Sequence, residues 1–560
     1  MEVVNNYKSY KKYLPEYASW RDNQDLKREK RLEYLRQNPD KMNPEDIQRG
    51  KILLHSIDVM DEYSQSNAED MEVATQFAIG QVSGLASMVG IFGGTLLGQV
   101  NKFKNLLAKM SGNSKHLNFI LAVMPSVIGM FVGTAATFPA IIWATKAEVS
   151  ASRKGRFEAM SKDLKNPAMF AVLNEEQQKK VEELAKDVVI EDKEKKRIEK
   201  SKSMSINPFE SLKTLKKYYK EDGIYKEQKA EFDKTISQNE GKFDQPLSEK
   251  QIKDAKRDQQ ILSDMVRRID VASQDYAENA ELATNTITSL ALGTGGLVGW
   301  VSNKIMKGLN IKVGGAAKVI PWVVGASIPF VLAIYSAKAQ KQASRIGRFK
   351  VKQEMLNNPA ELVYVDEKDT ESIDVKLPKR AKKPNIFKFF IQLVKDSKEY
   401  NKYLKTQGLE ELKRHKAIEK IELTDEQIKN AKTLQMNVFK TFNKVDEKSQ
   451  TYSESVEAMG EITKQGVSLF GALAAMGLSF KNMLKQIENP KPFENSSSIV
   501  KFVLKSMAPF GLVILPVVAI DVLTTKAQKK ASRVADMLAL KELEDYRHYA
   551  DYSATNDNKK

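Results

Sequence analysis

Few side chains in this chain have the type and spacing to do chemistry. The four histidines, His55, His116, His415 and His548, lie too far apart in sequence to form the close ligand pattern of a metal site on one helix or loop. There is no cysteine, which excludes disulfides, thiolate metal sites and a thiol nucleophile. The run GTGGLVG at 293–299 misses the phosphate-cradling pattern, because Val298 stands where its third glycine belongs. No P-loop, GxSxG or HExxH pattern occurs. The expectation is a non-enzymatic protein with no catalytic residue, no cofactor and no resident metal.

What remains is ionic chemistry. An Ala-Ser-Arg triplet recurs at 151–153, 343–345 and 531–533, each time just after a long apolar stretch. An acid stands before each stretch, at Glu69, Glu281 and Glu457. If each stretch is a helical hairpin, the acid and the arginine return to similar heights. The expected latches are Glu69 with Arg153, Glu281 with Arg345, and Glu457 with Arg533. Lys338, Lys341, Arg345 and Arg348 share one helical face. Lys146, Lys338, Lys341, Arg348, Lys526 and Lys529 are accordingly candidates for anionic lipid headgroups, at about 1 kcal/mol per charge.

These charges are positioned by a repeat. The triplets are 192 and 188 residues apart. Upstream, IDVMDEYSQSNAE (57–69) aligns with IDVASQDYAENAE (269–281) and VDEKSQTYSESVE (445–457). Downstream, Asn166-Pro167-Ala168 matches Asn358-Pro359-Ala360, and the third copy lacks this element. The copies are read as 1–204, 205–383 and 384–560, with hairpins at about 77–144, 284–337 and 466–523. Helix N-caps are expected near 247 and 423, linkers near 201–208 and 377–385, and a short extended element at Leu362–Val365. The rest reads as helix.

Each apolar island holds two segments joined by a short polar loop, and most are near the length that spans a bilayer. The first segments carry small residues four apart: Gly90, Gly94, Gly98; Ala291, Gly295, Gly299; Gly471, Ala475, Ser479. This spacing lets membrane helices approach closely. The second segments carry prolines at 125 and 139, 321 and 329, and 509 and 516, which membrane bundles tolerate. The fold class expected is all-α, a polytopic membrane protein of three tandem two-span repeats flanked by long charged helices. The weakest span is the third hairpin, Gly466–Leu523.

The net charge of +17, from 89 basic and 72 acidic residues, favours anionic lipid, while no nucleic-acid motif appears. Lysines and arginines flanking the hairpins place the termini on the cytoplasmic side of a bacterial inner or organellar membrane. Two functions fit. One is a membrane-anchored scaffold that meets protein partners through its charged helices. The other is a channel or transporter formed by the three hairpins, with polar residues such as Gln81, Ser87, Thr95, Thr286, Thr288 and Thr294 lining it. A protein with three buried apolar hairpins and no bilayer is the plainer alternative to both.

Overall fold

The computed structural model describes residues 2–99, 109, 115–191, 222–308, 320–377, 386–488 and 496–552; at 73, 76–99, 115–137, 222, 283–308, 320–338, 386–388, 390, 405, 468–488, 496–515 and 518 it describes the backbone alone. Among the described residues every regular element is helical. Three long hairpins dominate. Their leading helices are α2 (Pro44–Gln99), α6 (Glu249–Gly308) and α10 (Asp425–Glu488), and their trailing helices are α3 (Lys115–Lys162), α7 (Ile320–Asn357) and α11 (Ser496–Glu542). Shorter helices surround them: α1 (Glu2–Gln37), α4 (Glu175–Asp187), α5 (Asp222–Glu240), α8 (Ile386–Lys405) and α9 (Gln407–Ile418).

The leading helices start where their sequence caps them. Ser248 and Gln251 form a reciprocal capping box, with Gln251 N–H donating to Ser248 Oγ (3.3 Å) and Ser248 N–H to Gln251 Oε1 (2.9 Å). Thr424 and Gln427 repeat it at 3.0 and 3.2 Å. These bonds satisfy amides that a bare helix end leaves orphaned.

The three hairpins form a closed ring. Each trailing helix packs on its own leading helix and also on that of the preceding copy: α3 on α10, α7 on α2, α11 on α6. Glycine makes the contact within a hairpin close. A Cβ on Gly155 would stand 2.2 Å from the carbonyl oxygen of Tyr63, and one on Gly347 would stand 2.4 Å from that of Ala272. The shorter helices follow the same ring. Helix α5 packs on α3 and α8 on α7, while α1, from the opposite end of the chain, fills the matching groove on α10 and α11. There Tyr10 packs against Val456, Val534 and Met537, and Ser9 Oγ meets Tyr452 Oη at 2.7 Å.

At the charged end, the inward faces of the leading helices are apolar. Leu53, Ile57 and Met60 meet Ile261, Met265 and Ile269, and Leu434, Val438 and Phe442. Burial of each such side chain is worth about 1.5–3 kcal/mol, so this is where the ring is held.

Several sequence expectations change. The short extended element at Leu362–Val365 joins no sheet: Leu362 ends a 3₁₀ turn, Val363 is extended, and Val363 and Val365 are buried. The Gln260 side chain takes the role of a partner strand, donating to Val365 O (2.9 Å) and accepting from Val365 N–H (3.2 Å). The third copy does possess the turn after its trailing helix. It is the 3₁₀ turn Tyr546–Tyr549, capped by Asp545 accepting from Arg547 N–H, where the other copies use Pro167–Phe170 and Pro359–Leu362. The linker at 201–208 and most of that at 377–385 lie outside the described residues. Among the described residues no helix is long and apolar enough to cross a membrane. The small-residue positions Gly90 to Gly98, Ala291 to Gly299 and Gly471 to Ser479, and the polar positions from Gln81 to Thr294, fall where only backbone is described.

Candidate functional site: an acid-lined axis

Above the apolar core the inward stripe turns polar in all three copies at once. The trailing-helix partners set the register as DEYSQSNAEDME (61–72), DVASQDYAENAE (270–281) and DEKSQTYSESVE (446–457). The first copy is therefore shifted by three residues from the alignment on IDV, so that Glu72, not Glu69, matches Glu281 and Glu457. In this register Asp, Ser, Gln, Ala or Ser, Glu and Glu fall at offsets 0, 3, 4, 7, 8 and 11. That spacing is the seam of a packed helix, normally apolar.

The lowest polar layer holds Asp61, Asp270 and Asp446, each 0% exposed, with one oxygen of each within 4.8 Å of the others. The trailing helices reach across to them. Arg156 of the first copy pairs with Asp446 of the third, and both side chains are fully buried. Arg348 of the second pairs with Asp61 of the first at 2.6 Å. By the same geometry the third copy should send an arginine to Asp270, but it has Asp536 instead. No hydrogen-bond partner reaches either Asp536 oxygen, and the Asp270 carboxyl is its neighbour. Burial pushes Asp536 up to about 8, and burial followed by Asp536 raises Asp270 well above the usual carboxylate range. Burial lifts Asp61 to about 7 against the pull of Arg348.

A ring of serine pairs sits next. Ser64 meets Ser152 at 2.8 Å, Ser273 meets Ser344 at 2.7 Å, and Ser449 meets Ser532 at 2.8 Å. The first serine of each pair donates to an aspartate of another copy: Ser64 to Asp446 (2.6 Å), Ser273 to Asp61 (3.0 Å) and Ser449 to Asp270 (2.9 Å).

Beyond the serines lies a chamber of about 30 Å³, lined by Gln65, Gln274 and Gln450 at its floor and by seven glutamates, Glu69, Glu72, Glu148, Glu278, Glu281, Glu454 and Glu457. It has room for about two waters or a stripped cation. Among the described residues no lysine or arginine lines it. Burial, then neighbouring glutamates, raises Glu69, Glu72, Glu454 and Glu457 well above the carboxylate range. Thr75 Oγ1 donates to Glu148 (2.7 Å), Ser453 Oγ to Glu278 (3.1 Å) and Gln528 Nε2 to Glu457 (3.0 Å). The Nε2 atoms of Gln65, Gln274 and Gln450 and one oxygen each of Glu69 and Glu278 have no hydrogen-bond partner. Seven acids in so small a space cannot all ionise without cations, so the chamber takes up protons or cations.

No family model, curated protein or solved structure matches this chain.

The expected latches form differently. Arg153 pairs with Glu447 (2.9 Å), Arg345 with Glu62 (2.8 and 3.0 Å) and Arg533 with Asp275, so every arginine bridges to the preceding copy. Burial alone would raise Glu62, yet Arg345 and Arg348 hold it down at about 2. Glu69, Glu281 and Glu457 face the chamber instead. The basic stripe is also turned inward: Lys341 reaches Asp70 at 3.4 Å, Lys529 bonds Asn279, and Arg348 is buried among Asp58, Asp61 and Glu62, so Arg348 cannot meet a headgroup. Lys146 and Lys526 are exposed, and the Lys338 side chain lies outside the described ones.

Two histidines scattered in sequence do meet. The rings of His55 and His415 are 3.7 Å apart, edge to face. Burial, then Lys352, takes His415 down to about 3. Burial, then His415, lowers His55 well below its normal value. Neutral rings beside a lysine form a packing contact here.

Proposed function

We propose that this chain is a polytopic membrane protein whose three hairpins form a cation pathway, with the glutamate chamber as its vestibule at the charged end. The observation that carries this reading is the place of the chamber. It sits on the pseudo-threefold axis, where the hairpins turn from charged to apolar sequence. Rings of carboxylates are how pores favour cations. As a core, the chamber is a poor choice: well-packed apolar side chains there would be equally or more stable, and clustered acids with raised pKa mark functional cavities. The leading helix α2 runs unbroken into the first apolar island. The bilayer is placed at that island on its sequence, since among the described residues no helix is long and apolar enough to cross one. The aspartate and arginine layer fills the axis below the chamber, so this conformation is closed on the charged side. Exposed Lys146 and Lys526 flank the hairpins and suit anionic headgroups. A scaffold role is less favoured, because it leaves the acid-lined chamber without a task.

Ion flux into proteoliposomes tests this reading. Cation entry without chloride entry, reduced by Glu69→Gln/Glu278→Gln/Glu454→Gln, supports it. Absence of any flux from correctly folded protein returns the chain to the scaffold role.

A further inference from the structure

The protein does not balance the charge of its aspartate layer. Asp61, Asp270, Asp446 and Asp536 bring four carboxylates, and Arg156 and Arg348 bring two guanidiniums. With all six ionised, two negative charges remain. The nearby serines are neutral. Arg267 and Arg533 act on Asp536 from farther off, and Asp25, Asp264 and Asp275 already hold them.

The three carboxylates converge, and each keeps one oxygen spare. In Asp61, Asp270 and Asp446 the Oδ2 atoms take the serine and arginine bonds, while Oδ1 of all three has no donor. Oxygens bound to one Ca²⁺ at about 2.4 Å lie at most about 4.8 Å apart, and one carboxylate oxygen of each aspartate lies within 4.8 Å of the other two. We propose that this layer is a divalent-cation site, fitted to Ca²⁺, held by Asp61, Asp270 and Asp446 with Asp536 beside them. One such ion cancels the residual charge and ties together the leading helices of all three copies. Loss of the third arginine is what creates the site. An arginine at 536 would fill it with a guanidinium, as Arg156 and Arg348 do at the other two links. The proposal stands on the aspartate layer alone and does not require passage through the chamber.

Equilibrium dialysis of the full chain in detergent micelles against Ca²⁺, with thermal melting in Ca²⁺ and in chelator, decides it. The wild type should bind one Ca²⁺ that raises its melting temperature. Asp536→Arg should lose both the ion and the shift, and should melt in chelator no lower than the wild type. Loss of an outer-shell partner alone weakens metal binding about tenfold or more, so Asp270→Asn should weaken it at least as much. If Asp536→Arg lacks the helical circular dichroism of the wild type, Asp270→Asn decides. No Ca²⁺ bound by the wild type at millimolar concentration overturns the proposal. So does binding that survives the aspartate variants but is lost in Glu69→Gln/Glu278→Gln/Glu454→Gln, which would place the ion in the chamber.

Discussion

Arg156 and Asp446 offer the sharpest test of how the ring is locked. Both side chains are fully buried. Arg156 also donates through Nη1 to Ser152 (2.7 Å) and through Nε to Asn443 (2.8 Å). Arg156→Met removes the guanidinium and leaves Asp446 with only the Ser64 and Ser152 hydroxyls. Breaking a buried pair from one side costs about 3–5 kcal/mol. Asp446→Leu strands a guanidinium that cannot lose its proton, and it should cost a similar amount. The double variant strands nothing and should stay within about 2 kcal/mol of the wild type, a coupling of about 4 kcal/mol or more. Far-ultraviolet circular dichroism during denaturant unfolding in micelles gives all four stabilities. If the double variant loses the sum of the singles within about 0.5 kcal/mol, the pair does not act as a link and the ring account fails at its first joint.

Other predictions follow from single sites. Gly155→Ala drives a methyl into the Tyr63 backbone and should cost about 1–3 kcal/mol, visible as a lower melting temperature; Gly223→Ala, with nothing within 4 Å, should not be destabilised by steric contact. Burial, then Glu281, raises Glu278 well above the carboxylate range, so its contribution to stability falls as pH rises above its unfolded value near 4.3. Glu278→Gln should then melt higher than the wild type at pH 8 and close to it at pH 4. Tyr10, on the inner face of the closing helix α1, is 2% exposed, and Tyr10→Ala should cost about 3 kcal/mol or more and increase proteolysis at the third hairpin.

The repeat, the helical content and the capped starts at Ser248 and Thr424 were all legible in the sequence, because caps and recurrence are local signals. The axis was less so. Ile-Asp-Val recurs at 57–59 and 269–271 and draws the first copy three residues out of register; only the serine pairing across helices sets it right. Each arginine was matched to the acid of its own hairpin, yet a closed ring gives every trailing helix a second leading neighbour, and that neighbour carries the partner. The turn at Asp545 escaped notice because Asp-Tyr replaces Asn-Pro, although either residue caps a 3₁₀ turn through its side chain. The chamber did leave a trace. Polar residues at seam spacing in three copies, Ser64-Gln65, Ser273-Gln274 and Ser449-Gln450 with glutamates after them, are what a buried polar axis looks like when its register is right. The Arg-to-Asp change at 536, three residues after the arginine of the third Ala-Ser-Arg triplet, also stood in the sequence, and its meaning required the facing Asp270.

The reversal potential across a planar bilayer holding the purified protein, under a tenfold KCl gradient, addresses the cation pathway most directly. The account predicts a potential close to the cation limit of about 59 mV, moving toward zero in Glu69→Gln/Glu278→Gln/Glu454→Gln. A reversal potential at zero or of the anion sign in the wild type, or a bilayer that stays silent with folded protein inserted, would contradict it.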